Sequence, residues 1–191
     1  MDYRLPFDGH WYVLWGGTDE LYNYHITVPF QQFAYDFVIW RDGGTCKDDC
    51  KENEDYYIFG QPLLAPADGV VVTTVSNKPD VPPGQPGIQT DPGNYVIIKT
   101  AEHAYLLIAH MQQCSLQVQE GDDVKQGDLI GLVGNSGRTS EPHVHIQLQN
   151  APTLDFDHVT ALPLYFSDYY ADGEFVPYGI PQGSQFISIQ P

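Results

Sequence analysis

The sequence predicts a mainly β fold: a single domain on an antiparallel sheet, built of hairpins and long loops. Three observations carry this. Short stretches rich in β-branched and aromatic residues recur along the chain, bounded by turn residues. Glycine (18) and proline (15) are both frequent, which favours short strands and many turns over long helices. The length of 191 residues, with 42% apolar and 13% aromatic, suits one globular domain with a full-sized core. The core is placed at about 6–150 and a C-terminal extension at about 151–191.

In chain order, Trp11, Val13 and Trp15 alternate and give the first strand. His10 precedes it as a surface histidine. Pro29 divides residues 20–40 into two extended pieces, because proline is poorly placed inside a central strand. The second piece, QQFAYDFVIW, is a core strand with Asp36 in its middle. Buried carboxylates are rare unless paired, hydrogen-bonded or bound to a cation, so Asp36 stands out. Residues 41–57 form a polar loop in which Cys46 and Cys50 suit either a small disulfide loop or half of a metal site. No second cysteine pair exists to complete a structural zinc site, and Cys114 reads as a small buried apolar residue.

YYIFGQPLLAPADGVVVTTV reads as strand, turn around Pro66, Asp68 and Gly69, and strand. Residues 77–93 form a long Pro- and Gly-rich loop of the kind that rims binding sites. NYVIIKT and AYLLIAHM are two strands joined at Ala101–His103, and His110 ends the second. QEGDDVKQGDLIGLV gives two strands around Lys125-Gln126-Gly127, and GNSGRTSEP loops into His143. Beyond Asn150, FVPYG and QFISI are strand-like, and a hairpin packed against the sheet is expected.

The net charge of −17 excludes the basic patch of a nucleic-acid binder and repels anionic membranes. No apolar run approaches the roughly 18 residues of a membrane-spanning helix. Met1 to Pro6 has no apolar core of a signal peptide.

The chemistry concentrates at His143-Val144-His145. Its flank, Ile146-Gln147-Leu148, alternates like a strand, so both imidazoles share one face, roughly 6.5–7 Å apart at Cα. Imidazoles there suit zinc ligation or proton transfer, and equally an ordinary strand with polar histidines.

The wider pattern narrows this. GDDVKQGDLIGLVGNSGRTSEPHVHIQLQ, preceded by APADGVVV, GNYVIIKT and the strand ending at His110, resembles the lysostaphin-type zinc metallopeptidases. The resemblance runs from about Pro6 to Asn150. It implies an enzyme that hydrolyses peptide bonds in bacterial cell-wall peptidoglycan with one Zn²⁺ on a small antiparallel sheet. It implies Asp36 and His145 as two metal ligands, and His110 and His143 as catalytic residues that handle the water proton and the reacting carbonyl. It also implies a peptidoglycan peptide as partner, a monomer, and an extracellular or periplasmic location. One position departs from the family pattern. The early His-x-x-x-Asp motif here begins with Gln32, a poor zinc ligand. His25, seven residues upstream across Pro29, is expected to fold back and supply the third ligand.

Two other readings stand beside this one. A catalytically inactive relative would act as a peptidoglycan- or partner-binding domain, with Gln32 as its sign. A biotinyl or lipoyl carrier would share the GDDVKQGDLIG turn, but it needs a lysine at a hairpin tip, and Lys125 lies in a Val-Lys-Gln turn instead.

Overall fold

The structure is a computed structural model that describes residues 2–85, 87, 91–155 and 157–191. It is antiparallel β. The strands are β1 (His10–Trp15), β2 (Tyr35–Val38), β3 (Pro62–Leu64), β4 (Gly69–Val75), β5 (Asn94–Ala101), β6 (Ala104–Met111) and β7 (Asp123–Val124). They continue with β8 (Leu129–Leu132), β9 (Val144–Gln149), β10 (Ala161–Leu162), β11 (Phe166–Ala171), β12 (Glu174–Gly179) and β13 (Phe186–Ser188). Ten of them run side by side in the order β12-β11-β13-β1-β2-β9-β6-β5-β4-β7, with β10 added on β9, and β3 and β8 form a separate ribbon.

Strand alternation gives the central sheet two unlike faces. Tyr35, Phe37, Val96, Ile98, Leu106, Ile108, Val144 and Ile146 point to one side and join the main core with Phe7, Trp11 and Phe166. On the other side Tyr95, Ile97, Leu107 and Ala109 form a smaller apolar cluster. Asp36, His145, Gln147 and Gln149 occupy that second face too, all buried. Register brings them together: Asp36 pairs with His145, and His145 with Ala109.

The structure differs from the sequence reading in four places. The piece before Pro29 is not extended: Tyr24–Thr27 is one turn of 3₁₀ helix. Asn23 caps it by accepting the His25 N–H, a local alternative to strand pairing that Asn readily offers. The two strands flanking Lys125-Gln126-Gly127 do not pair with each other. β7 joins β4, and β8 joins β3, where Leu63 and Ile130 bury together in the core. The chain beyond Asn150 does not pack a hairpin on the sheet but extends it, since β13 pairs with both β1 and β11. Cys114 is exposed: it follows Met111 in a tight turn with φ 58°, which faces it outward. Cys46 and Cys50 form a disulfide.

Of the 77–93 loop, Pro86 and Ile88–Thr90 lie outside the described residues. Its described part braces the glycine-rich loop before β9. Asp80 accepts from the Asn135 N–H (2.6 Å), and the Val81 N–H donates to the Asn135 carbonyl (2.8 Å).

Candidate active site

Of the five residues singled out by the sequence, Asp36, His110, His143 and His145 line one cleft, and His25 lies buried against Asp36. Asp36 is central. Its Oδ1 lies 2.9 Å from His145 Nδ1 and 3.7 Å from His143 Nε2. Its Oδ2 lies 3.4 Å from His25 Nε2 and 3.4 Å from the Tyr24 hydroxyl, which donates to it. His110 stacks near His143, with ring centroids 4.7 Å apart. A cavity of about 880 Å³ opens over this cluster, with Trp15, Tyr24, Phe30 and Leu154 among its walls. Asp91 and Pro92 from the 77–93 loop reach its edge. Gln31 lines the cleft; Gln32 is not among its lining residues.

Each residue has a local reason for its place. Asp36 and His145 face the cleft because their strand neighbours Tyr35, Phe37, Val144 and Ile146 face the core. His25 enters from the 3₁₀ turn, completely buried. His110 needs a device. Alternation after Ala109 would turn it toward the core, but β6 carries one extra residue between the Ile108–Val96 and Met111–Asn94 pairs. This bulge, with His110 at φ 61°, re-aims the side chain into the cleft. There its Nδ1–H donates to the Ser136 carbonyl (2.9 Å). His143 likewise donates its Nδ1–H to the Glu141 carbonyl (2.8 Å). The far nitrogens of both rings are thus committed, and each Nε2 is left with a lone pair.

The charges follow from burial and proximity. Burial opposes ionisation of Asp36, but the facing His25, His143 and His145 outweigh it and hold the carboxyl well below the usual carboxylate range. Burial pushes His25 down to about 4 against the pull of Asp36. Burial, joined by the charges of His143 and His145, holds His110 well below the ordinary imidazole value. His145 is buried as well, yet its hydrogen bond to Asp36 carries it above the ordinary value. Asp36 is therefore a carboxylate, and burial favours the neutral form of His25 and His110.

His25, Asp36 and His145 fit a metal ion. One ligand atom from each lies within 4.8 Å of the others, and all three residues are buried. The Nε2 of His25 has no hydrogen-bond partner although fully buried, which is costly unless a cation sits against it. Two imidazole nitrogens and one carboxylate form a donor set that zinc favours.

The profile of Peptidase family M23 matches residues 55–156, just over half the chain. The chain belongs to peptidase family M23. Among curated relatives, this M23 chain is 35% identical over 90 residues to the peptidoglycan DD-endopeptidase ShyA of Vibrio cholerae, covering 47% of the chain and 18% of ShyA. It is 30% identical over 95 residues to the cell division protein DipM of Caulobacter vibrioides, covering 50% of the chain and 14% of DipM. The chain thus spans less than a fifth of the length of these relatives. Among solved structures, the M23 metalloprotease pseudoalterin shares the fold at a TM-score of 0.54 and 18% identity, covering 100% of this chain and 97% of pseudoalterin. His110, His143 and His145 fall inside the matched segment, whereas His25 and Asp36 precede it.

Sequence reasoning missed the side chains behind the histidines. Asn23 accepts from His25 Nδ1 (2.9 Å), and Gln147 Oε1 accepts from His145 Nε2 (3.1 Å). A signal existed for both. Asn23 sits two residues before His25, and the alternation of HVHIQLQ places Gln147 and Gln149 on the face of the histidines.

Proposed function

We propose that this chain is a zinc-dependent endopeptidase that hydrolyses peptide bonds in bacterial cell-wall peptidoglycan, working as one domain outside the cytoplasm. The observation that supports this most is the buried cluster of His25, Asp36 and His145, two of which line a cleft together with the imidazoles of His110 and His143. His25, Asp36 and His145 would hold one Zn²⁺, leaving a fourth position open toward the cavity. When bound there, zinc supplies water of lowered pKa and polarises a carbonyl.

The chain's own residues carry the proton traffic. His110, kept neutral by burial, presents its Nε2 lone pair to the cleft and takes a proton from the attacking water. It then delivers that proton to the leaving amine, since cleavage of the C–N bond needs one. His143 is half-buried, and its Nε2 faces the cleft 3.7 Å from the Asp36 carboxylate. With hydrogen on that Nε2 it would donate to the carbonyl oxygen as negative charge develops. The names of ShyA and other relatives support a cell-wall peptide as substrate, and the Cys46–Cys50 disulfide suits an oxidising compartment.

The test is digestion of purified peptidoglycan, with new amine termini counted by mass spectrometry. Cleavage that a chelator abolishes and added zinc restores is the expected result. An intact polymer and intact cross-linked muropeptides, with zinc supplied, would sink the peptidase reading and favour a binding role.

A further inference from the structure

The four histidines are pinned in two different ways. His110 and His143 donate to backbone carbonyls. The two proposed metal ligands instead meet side-chain carboxamides, each of which has its own orientation fixed by its amide nitrogen. Asn23 Nδ2 donates to the carbonyls of Gly17 (3.0 Å) and Ala34 (3.3 Å). Its Oδ1 must therefore be the atom that faces His25, accepting from the backbone N–H (3.2 Å) and from Nδ1–H (2.9 Å).

On the other side the chain of amides is one member longer. Gln149 Nε2 donates to the carbonyls of Ala151 (2.6 Å) and Thr153 (2.9 Å). Its Oε1 then accepts from Gln147 Nε2 (2.7 Å), which also donates to the Phe30 carbonyl (3.2 Å). Gln147 can offer only its oxygen to His145, so His145 Nε2 must carry the hydrogen. All three amide residues are at most 2% exposed, so water does not compete for these bonds.

The consequence is a fixed tautomer at each ring. His25 carries hydrogen on Nδ1 and directs the Nε2 lone pair at Asp36. His145 carries hydrogen on Nε2, which leaves Nδ1, hydrogen-bonded to Asp36 Oδ1 at 2.9 Å, as the nitrogen that gives up its hydrogen to a metal. We infer that Asn23 and the Gln149–Gln147 pair are positioning residues that lock the two imidazoles in the metal-ready tautomer. This rests on the zinc reading above. Partners behind a metal-bound imidazole orient the ring and strengthen it as a donor, and their loss typically weakens metal binding by roughly 10- to 100-fold.

The experiment combines zinc affinity, by competition with a chromophoric chelator, and ¹⁵N NMR of the histidine rings in the full-length protein. Gln147→Leu removes the acceptor at similar size and should weaken zinc binding by roughly 10- to 100-fold. Gln147→Glu, whose protonated acid keeps a carbonyl oxygen for His145 and a hydroxyl for Gln149, should recover most of that loss. In the metal-free wild type, His145 Nε2 should carry hydrogen, and Gln147→Leu should show that hydrogen partly lost. Equal zinc affinity in wild type and Gln147→Leu would overturn the inference, as would equal losses in the Leu and Glu variants. The wild-type spectrum needs no variant to fold, and hydrogen on His145 Nδ1 alone would also overturn it. A wild type that binds no zinc but shows the expected tautomers would instead defeat the metal reading on which the inference rests.

Discussion

Replacing Gly93 by alanine should damage catalysis through Ser136. Gly93 has φ 72°, and a Cβ there would lie 2.1 Å from the Ser136 carbonyl oxygen and 2.3 Å from its carbon. That oxygen is the acceptor for His110 Nδ1. Ordinary contact needs about 3.5 Å, so the carbonyl must move by about 1 Å or more. The left-handed backbone adds about 1–2 kcal/mol and the forced repacking about 1–3 kcal/mol, together about 2–5 kcal/mol. At roughly 2–4 °C per kcal/mol for a chain of this size, the melting temperature should drop by about 4–20 °C. Displacing His110 by about 1 Å should lower kcat by about 10²-fold, with zinc retained because His110 is outside the proposed ligand set. Gly84→Ala is the control: it has φ 73° but nothing within 4 Å of its Cβ. It should show only the backbone cost and full activity. The assay is peptide turnover per folded, zinc-loaded molecule, with thermal melts alongside. If Gly93→Ala matched Gly84→Ala in both turnover and melting, the close approach of Gly93 would not be what seats His110.

Other outcomes follow from the same geometry. His110→Ala and His143→Ala should each keep one zinc per chain, measured by metal analysis, and lose about 10²- to 10⁴-fold in kcat; release of the metal by either would contradict the division of roles. The metal-free protein should lose stability in mild acid. His25 drops from 6.5 to about 4 on folding, so its contribution is complete above pH 6.5 and falls as pH descends to 4. That amounts to roughly 3 kcal/mol, and melts of metal-free His25→Asn should decline less steeply over this range than wild type. Breaking the Cys46–Cys50 disulfide by double serine substitution closes off a short-loop constraint of about 2 kcal/mol, or roughly 4–8 °C, without changing zinc content. An unchanged melt would show that the unfolded chain gains nothing from losing it.

Much of this architecture was legible in the chain. β1, β2, β5, β6 and β9 announce themselves by alternation or by dense β-branched and aromatic residues, which is the signal that pairing and burial require. A carboxylate inside such a stretch and a His-x-His on another are features of the sequence that the register brings together. His25 was reachable only through the gap left by Gln32. The 3₁₀ turn around it was not, because YHIT looks extended unless Asn23 is taken as a cap. The parting of β7 and β8 was hidden because local turn chemistry says nothing about which distant strand offers a better partner. The bulge at His110 has no local sequence signature, and it is the device that turns that histidine into the cleft. The carboxamides behind His25 and His145 are buried, but glutamine on a strand usually means solvent, and only burial reveals them.

The most direct test of the account is zinc stoichiometry of the purified full chain beside His25→Ala. One zinc per wild-type chain and none in the variant, with Gln32→Ala still binding one, is the expected result. Zinc retained in His25→Ala, or no zinc in the wild type after reconstitution, would contradict it.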